Sequence, residues 1–521
     1  MDWESLVYSQ DSDGSPDSNS MTPTPDPRDC PLFGEISKAA TEQLRAFFAD
    51  AGYNEDTLRN QIVVNELPSS RLRNLPRLLD STREPNLLNT LIRWFWVGMA
   101  QELEPVHEFV PEREIQLLLT AGLLAQKGNQ LIPEAMLVPW DKFLIASDHT
   151  ANMDSQYPEL VLWPNPTSRL MSRCTVRRHS RATLDIGTGN GILAFGASRH
   201  SDRILATDLN PRALEFARFN ARLNGIENVE FVSGDGFQPA EGQRFDLIVS
   251  NPPFFISPKD RYLFCDNPME LDGLCRLLVK QAPAHLNEGG YFQMLCEWAQ
   301  VRGETWQERL AEWLQGTGCD AWVFRGTTQD PAQYAQERIR DIPASAGRDS
   351  ELFSEYMSYY RSHGVEVIHD GLITMRLRSV KNWILMEENS QTPKEPFGDY
   401  VESLFAARDL LHDSRDALLA AKLRLAPQVQ LEHVLEHADS RWQAKSLTLR
   451  MGRGLPYWVH VQPLVAEFLG RCDGSLPLAQ VIDDFVTQAE APAEQVRQEC
   501  LEVVTRLLEH AFLQCGPRPE P

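Results

Sequence analysis

Residues 248 to 255 read IVSNPPFF: an apolar run broken by an amide, two prolines and two aromatic rings. Proline neither donates to a sheet nor continues a helix, so packing alone does not account for a strand that ends this way. The chemistry open to Asn251-Pro252-Pro253-Phe254 is the handling of a planar nitrogen. In an aromatic amine or a carboxamide the nitrogen lone pair is delocalised, which makes it a poor nucleophile. The Asn251 side-chain oxygen and the Pro252 carbonyl can accept its two N–H bonds and hold it while it becomes tetrahedral. Phe254 can lie against the flat face of the acceptor, a contact worth about 1–3 kcal/mol for a base. No dedicated general base is needed, because an alkylated nitrogen cation sheds its proton readily.

Three further polar stations precede this corner. Asp185-Ile186-Gly187-Thr188-Gly189-Asn190-Gly191 closes one short apolar run and opens a helix. Glycines there let the backbone turn sharply and approach a ligand, with the free N–H groups of the helix facing it. The dinucleotide pattern GxGxxG would need glycine at 192, where the chain has Ile192, so the loop suits a ligand with no pyrophosphate. Asp208, twenty-one residues after Gly187, stands where an acid accepts both hydroxyls of a ribose. Gly234-Asp235 ends a third run, its carboxylate placed to accept from an adenine amino group. Asp208 alone also suits a helix cap and Asp235 a turn. Their occurrence in series, at the spacing of successive strand–helix units, favours one nucleoside site.

This ordered set resembles the class I S-adenosylmethionine-dependent methyltransferases, in the branch whose fourth strand carries [DN]PP[FYW]. The resemblance covers about residues 181 to 300. It implies that Asp185, Gly187, Gly189 and Gly191 surround a methionine moiety, that Asp208 holds the ribose, that Asp235 and Gly236 lie at the adenine, and that Asn251 to Phe254 meets the acceptor, with Asn251 also bordering the cofactor. The stretch SNPPFFISP is similar to the methyltransferase small domain shared by ribosomal RNA guanine-N2 methyltransferases and release-factor glutamine methyltransferases. The second group usually has Tyr where this chain has Phe254; the first often has His where this chain has Phe255. The leading expectation is methyl transfer from S-adenosylmethionine to an exocyclic amine of an RNA base, with Asn251, Pro252 and Phe254 as catalytic residues. The alternatives are a protein glutamine N5-methyltransferase acting on a translation factor, and a non-catalytic winged-helix regulator that senses the cofactor.

The elements that must position these residues follow from the patterning. From about 151 to 392 short apolar strands, the last pair around GLITMRLRS and NWILMEE, alternate with amphipathic helices, which predicts an α/β, Rossmann-like doubly wound sheet, of seven strands by the resemblance. Asn210-Pro211 predicts the start of the helix NPRALEFARFNARLNG. Residues 31–150 read as a helical, winged-helix-like domain, with a turn at Lys127-Gly128-Asn129, and 393–521 as a C-terminal helical domain. Residues 1–30, rich in Asp, Ser, Pro and Thr, read as a disordered tail. Trp298, Trp306 and Trp313 read as core.

Composition sets the outer bounds. At 521 residues the chain is expected to hold several cores. With 50 Lys and Arg against 73 Asp and Glu, its formal charge of -23 argues against extensive nonspecific nucleic-acid binding, so any RNA contact must be local. RLMSRCTVRRHSR, with five arginines at 169 to 181, and the pair Lys259 and Arg261 are the candidate phosphate contacts, while His179 and His200 are expected to face solvent. Nine scattered cysteines with no CxxC pair predict reduced thiols and no structural metal. LIRWFWVGMA, the most apolar stretch, is too short to span a bilayer, which predicts a cytoplasmic protein without membrane partners.

Overall fold

A computed structural model describes residues 32–62, 71–149, 159–258, 263–341, 348–388, 397–438, 440–452, 454–488 and 491–516. The expected tail at 1–30 and the charges Lys259 and Arg261 lie outside the described residues.

The centre is one large sheet. Helix α1 (Pro166–Cys174) leads into strand β1 (Thr183–Ile186). There follow α2 (Ile192–Ala197), β2 (Ile204–Asp208), α3 (Pro211–Asn224), β3 (Val229–Ser233) and β4 (Phe245–Ser250). Next come α4 (Gly273–Gln281), β5 (Leu286–Val301), α5 (Trp306–Leu314), β6 (Cys319–Gln329), α6 (Pro331–Asp341), α7 (Asp349–Ser362), β7 (Val365–Leu377) and β8 (Ile384–Glu388). The strand order is β8-β6-β7-β5-β4-β1-β2-β3, with β7 antiparallel to both of its neighbours and the other pairs parallel. The doubly wound sheet is as expected; the strand read from NWILMEE, Ile384–Glu388, pairs along the outer edge of β6 and makes eight strands where the resemblance implies seven.

Local sequence explains the central elements. Strand β1 is buried along its whole length, as a parallel strand covered on both faces must be. Helix α3 begins at an Asn210 cap that accepts from the Arg212 N–H, places Pro211 in its first turn, and ends at Gly225 in the left-handed conformation. Trp298, Trp306 and Trp313 are all buried, the first on β5 and the others on α5.

The N-terminal region packs on the outer face of α3, where Ala213, Phe216, Phe219 and Leu223 join its core. Asn220 and Asn224, one turn apart, act as a substitute strand edge. Their side chains exchange paired bonds of 2.8–2.9 Å with the backbone of Ala146 and Leu144 in the hairpin Met136–Trp140/Phe143–Ser147. Helix Glu112–Thr120 precedes a second hairpin, Leu124–Lys127 with Gln130–Pro133, joined on its edge by Gln101–Glu102.

The region from 393 on, read from sequence as helical, also contains two three-stranded sheets. One places Lys422–Leu425 between Asp473–Pro477 and Leu513–Cys515; the other runs Val429–Ala438, Arg441–Met451, Trp458–Val461. Most of these strands are short, and residues 430–437 are exposed on both faces, so they lack the two-residue alternation of a half-buried strand; Arg441–Met451 does carry it, at Leu447, Leu449 and Met451.

Candidate active site

The register of the sheet brings the four polar stations to one edge. Ile186 pairs with Thr207 on one side and Ser250 on the other, and Asp208 pairs with Ser233. Asp185, Asp208, the Gly234–Gly236 turn and Asn251 therefore stand level at the carboxyl ends of four adjacent parallel strands, the edge at which open α/β sheets bind ligands.

Asp185 is fully buried. Its Oδ2 accepts from the Thr188 hydroxyl at 2.6 Å and from the Ala194 N–H at 3.1 Å, pinning the start of α2 to the end of β1. Its Oδ1 is buried and has no hydrogen-bond partner among the described residues. Burial pushes this carboxyl up to about 7, against the opposing pull of the two donors.

The loop between them holds Gly187, Gly189 and Gly191 at φ of 70°, 56° and 92°. A Cβ built on Gly187 or Gly189 would meet nothing within 4 Å, so the protein leaves open space in front of the loop. Asp208 closes the loop from the neighbouring strand, its Oδ2 accepting from the Gly189 N–H and its Oδ1 from the Asn210 N–H, both at 2.8 Å. Burial raises the pKa of this carboxyl, while the backbone donors work to lower it.

Asp235 is exposed on the turn after β3; its backbone carbonyl closes the turn by accepting from the Gln238 N–H at 2.9 Å. Gly236 follows at φ 50°. Next to the turn, Phe237 is buried and stacked on His285 at 4.6 Å.

At the end of β4, the Asn251 amide Nδ2 makes a long contact of 3.4 Å with the Thr167 hydroxyl, which donates to Asn165 Oδ1 at 2.7 Å. Asn251 Oδ1 is buried and has no partner among the described residues. Pro252 is buried. Phe254 is 8% exposed and meets Phe255 edge-to-face at 5.5 Å, so little of its ring is open to an acceptor.

Sequence reasoning missed two parts of this arrangement. Asn165-Pro166 caps α1 just as Asn210-Pro211 caps α3, and that shared dipeptide was the available signal for Thr167. Asn190, inside the glycine loop, donates to the Leu162 carbonyl at 2.8 Å and so fixes the buried segment around Val161 and Trp163 beside the site.

Part of the arginine run is used inside the protein, while Arg177 and Arg181 are exposed. Arg169 bonds Glu55 at 2.6 Å and lies over Trp140, Arg178 donates to the Gly289 carbonyl and lies over Tyr291, and Arg181 bonds Asp246. His179 is exposed and paired with Asp202 at 2.8 Å, whereas His200 is half buried, its pKa lowered by burial. Among the described residues no cluster of three His, Cys, Asp or Glu could hold a metal ion, and no helix is long and apolar enough to cross a membrane.

A buried carboxylate oxygen without a donor, a second carboxylate with spare lone pairs, and open space between them suit a ligand bearing an amine and a diol. Residues 165–312 match the methyltransferase small domain. A release factor glutamine methyltransferase of Deinococcus radiodurans is 37% identical over 250 residues, an alignment that spans 40% of this chain and 88% of that one. The chain belongs to the class I S-adenosylmethionine-dependent methyltransferases. Other relatives bear the same printed name. That of Geobacter sulfurreducens is 29% identical over 282 residues, covering 49% of this chain and 92% of the relative. That of Xylella fastidiosa is 40% identical over 133 residues, 23% of this chain, which thus spans 48% of that relative's length. Residues 402–515 of the chain match a domain of unknown function (DUF7782).

Proposed function

We propose that this methyltransferase acts on the side-chain amide nitrogen of a protein glutamine, on a substrate of the release-factor kind. The observation that carries this reading is Asn251 Oδ1, a buried acceptor at the end of β4 that has no donor among the described residues. A buried acceptor of this kind costs about 1–3 kcal/mol unless a donor reaches it, and the N–H of an incoming amide is such a donor. The names of the relatives favour a protein amide over the RNA base expected from sequence. So do the formal charge of -23 and the internal use of Arg169 and Arg178.

When bound, S-adenosylmethionine supplies a methyl carbon on a positively charged sulfur. Asp208 would accept from the ribose hydroxyls, Asp185 Oδ1 from the methionine amine, and Asp235 with Gly236 would border the adenine. The glycine loop of Gly187, Gly189 and Gly191 runs alongside. Thr167 holds the Nδ2 end of Asn251, which leaves the oxygen end for one N–H of the acceptor amide; the Pro252 carbonyl takes the other. Because Pro253 follows it, Pro252 is confined to an extended ψ as well as its ring-fixed φ, so the direction of that carbonyl is set before the substrate arrives. The pair draws the nitrogen lone pair out of conjugation and presents it to the electrophile. Phe254, largely buried against Phe255, supports the corner from the protein side.

The test is incubation of the full-length protein with tritiated S-adenosylmethionine and, in separate reactions, a release factor and ribosomal RNA. The expected label is on the protein, mapped to one glutamine by mass spectrometry. Label in the RNA with none in the protein overturns the reading.

A further inference from the structure

Strands β6 and β7 are antiparallel neighbours, which a turn of a few residues can join. Instead the chain places two helices, α6 and α7, between them. Strand β5 passes the end of β4 at Met294, and its residues 295–301 continue beside β7. The helix pair packs against this extension through a small separate core that includes Ala299, Ile339, Leu352, Tyr356 and Ile368, and that takes in the fully buried Ile256 from the acceptor loop, the segment that follows Asn251–Phe254.

The polar bonds run to the same loop. The Ile256 N–H donates to the Tyr334 hydroxyl at 3.2 Å, and the Tyr360 hydroxyl donates to the Ile256 carbonyl at 2.8 Å. One peptide unit on either side of Ile256 is thus held by α6 and the other by α7. The Tyr334 hydroxyl in turn donates to Glu297, on the extension of β5, so its acceptor lone pair stays turned to Ile256. One turn further along α6, the Arg338 guanidinium lies 3.9 Å over the Phe255 ring. Further along the loop, Leu271 has a φ of 52°, a left-handed conformation rare for a residue with a branched side chain. It is held there by its N–H to the Tyr359 hydroxyl at 2.9 Å, and Glu270 beside it pairs with His363 at 2.6 Å.

We infer that the α6–α7 pair is a clamp on the acceptor loop, and that Tyr334 and Tyr360 are positioning residues that set the Asn251–Phe254 corner through Ile256. Backbone that leaves the sheet edge through two prolines is tied beyond them by a single bridge, Phe255 with Asp266, and the tyrosines add a bond on each side of Ile256. The inference rests on the proposed amide chemistry only for what the corner does, and the clamp itself is readable without a substrate.

The test uses the full-length protein with Tyr334→Phe, Tyr360→Phe and the pair together, each keeping its ring in the core. The expected result is a fall in kcat of about tenfold for each variant and about a hundredfold for the pair, since small misplacement at a reacting group is costly. KM for the acceptor and the cofactor Kd should change by less than about twofold, the split that separates positioning from general damage. Deuterium uptake by the segment containing Ile256 should rise about fivefold in the pair. Should the pair fail to fold, Tyr360→Phe alone reads the same quantities. A kcat within about twofold of wild type with unchanged uptake overturns the clamp. If uptake rises while wild-type protein labels RNA instead of a glutamine, the functional reading fails and the clamp stands. If wild-type protein labels the glutamine and the variants match it in kcat and uptake, the clamp fails and the functional reading stands.

Discussion

The Gly189 N–H donates to Asp208 Oδ2 at 2.8 Å, tying the end of β2 to the glycine loop that follows β1. With the Asn210 N–H on its other oxygen, the carboxylate is oriented before any ligand arrives, and each oxygen keeps a further lone pair. Asp208→Asn turns an amide N–H toward one of these backbone donors and removes the charge. Cofactor affinity should drop about 10- to 100-fold by titration calorimetry, with the unfolding midpoint little changed.

Gly191 combines a φ of 92° with the ring of Phe195, whose nearest atom would lie 2.3 Å from an added Cβ. Gly191→Ala should therefore destabilise the protein by about 2–5 kcal/mol, from left-handed strain plus overpacking. Gly187→Ala carries the strain without the clash and should cost less. Denaturant unfolding of both variants checks the difference.

Asp185 and Glu297 are buried carboxyls, each pushed up to about 7 by desolvation. A carboxyl whose pKa is higher folded than unfolded binds extra protons in the native state at intermediate pH. Its contribution is then complete below the ordinary carboxylate range and is lost as pH rises through about 7. The ligand-free protein should lose stability between pH 5 and 8, and Asp185→Asn or Glu297→Gln should flatten part of that slope. Urea midpoints across the range measure it. Saturating cofactor should also flatten the Asp185 share, because an amine donor then compensates the charge.

Much of the site is written locally in the chain, which is why it was legible. The stations at Asp185, Asp208 and Asn251 each follow a short apolar strand, and Pro211 and the loop glycines carry backbone signals that need no tertiary context. The rest depends on distant pairings. Tyr334 and Tyr360 meet Ile256 across 78 and 104 residues, and nothing near either tyrosine announces that contact. The arginine run looked like a free basic patch because Glu55, Asp246 and Gly289, its partners, lie far away in sequence. The strand at Val429–Ala438 was hidden because residues on both of its faces are exposed.

The central claim is that the Asn251 oxygen holds and activates a planar acceptor nitrogen, and the most direct measurement is single-turnover methyl transfer by Asn251→Ala alongside its cofactor Kd. The account predicts a rate lower by at least about a thousandfold, with the Kd within about threefold of wild type. Transfer at a near wild-type rate in that variant would contradict it.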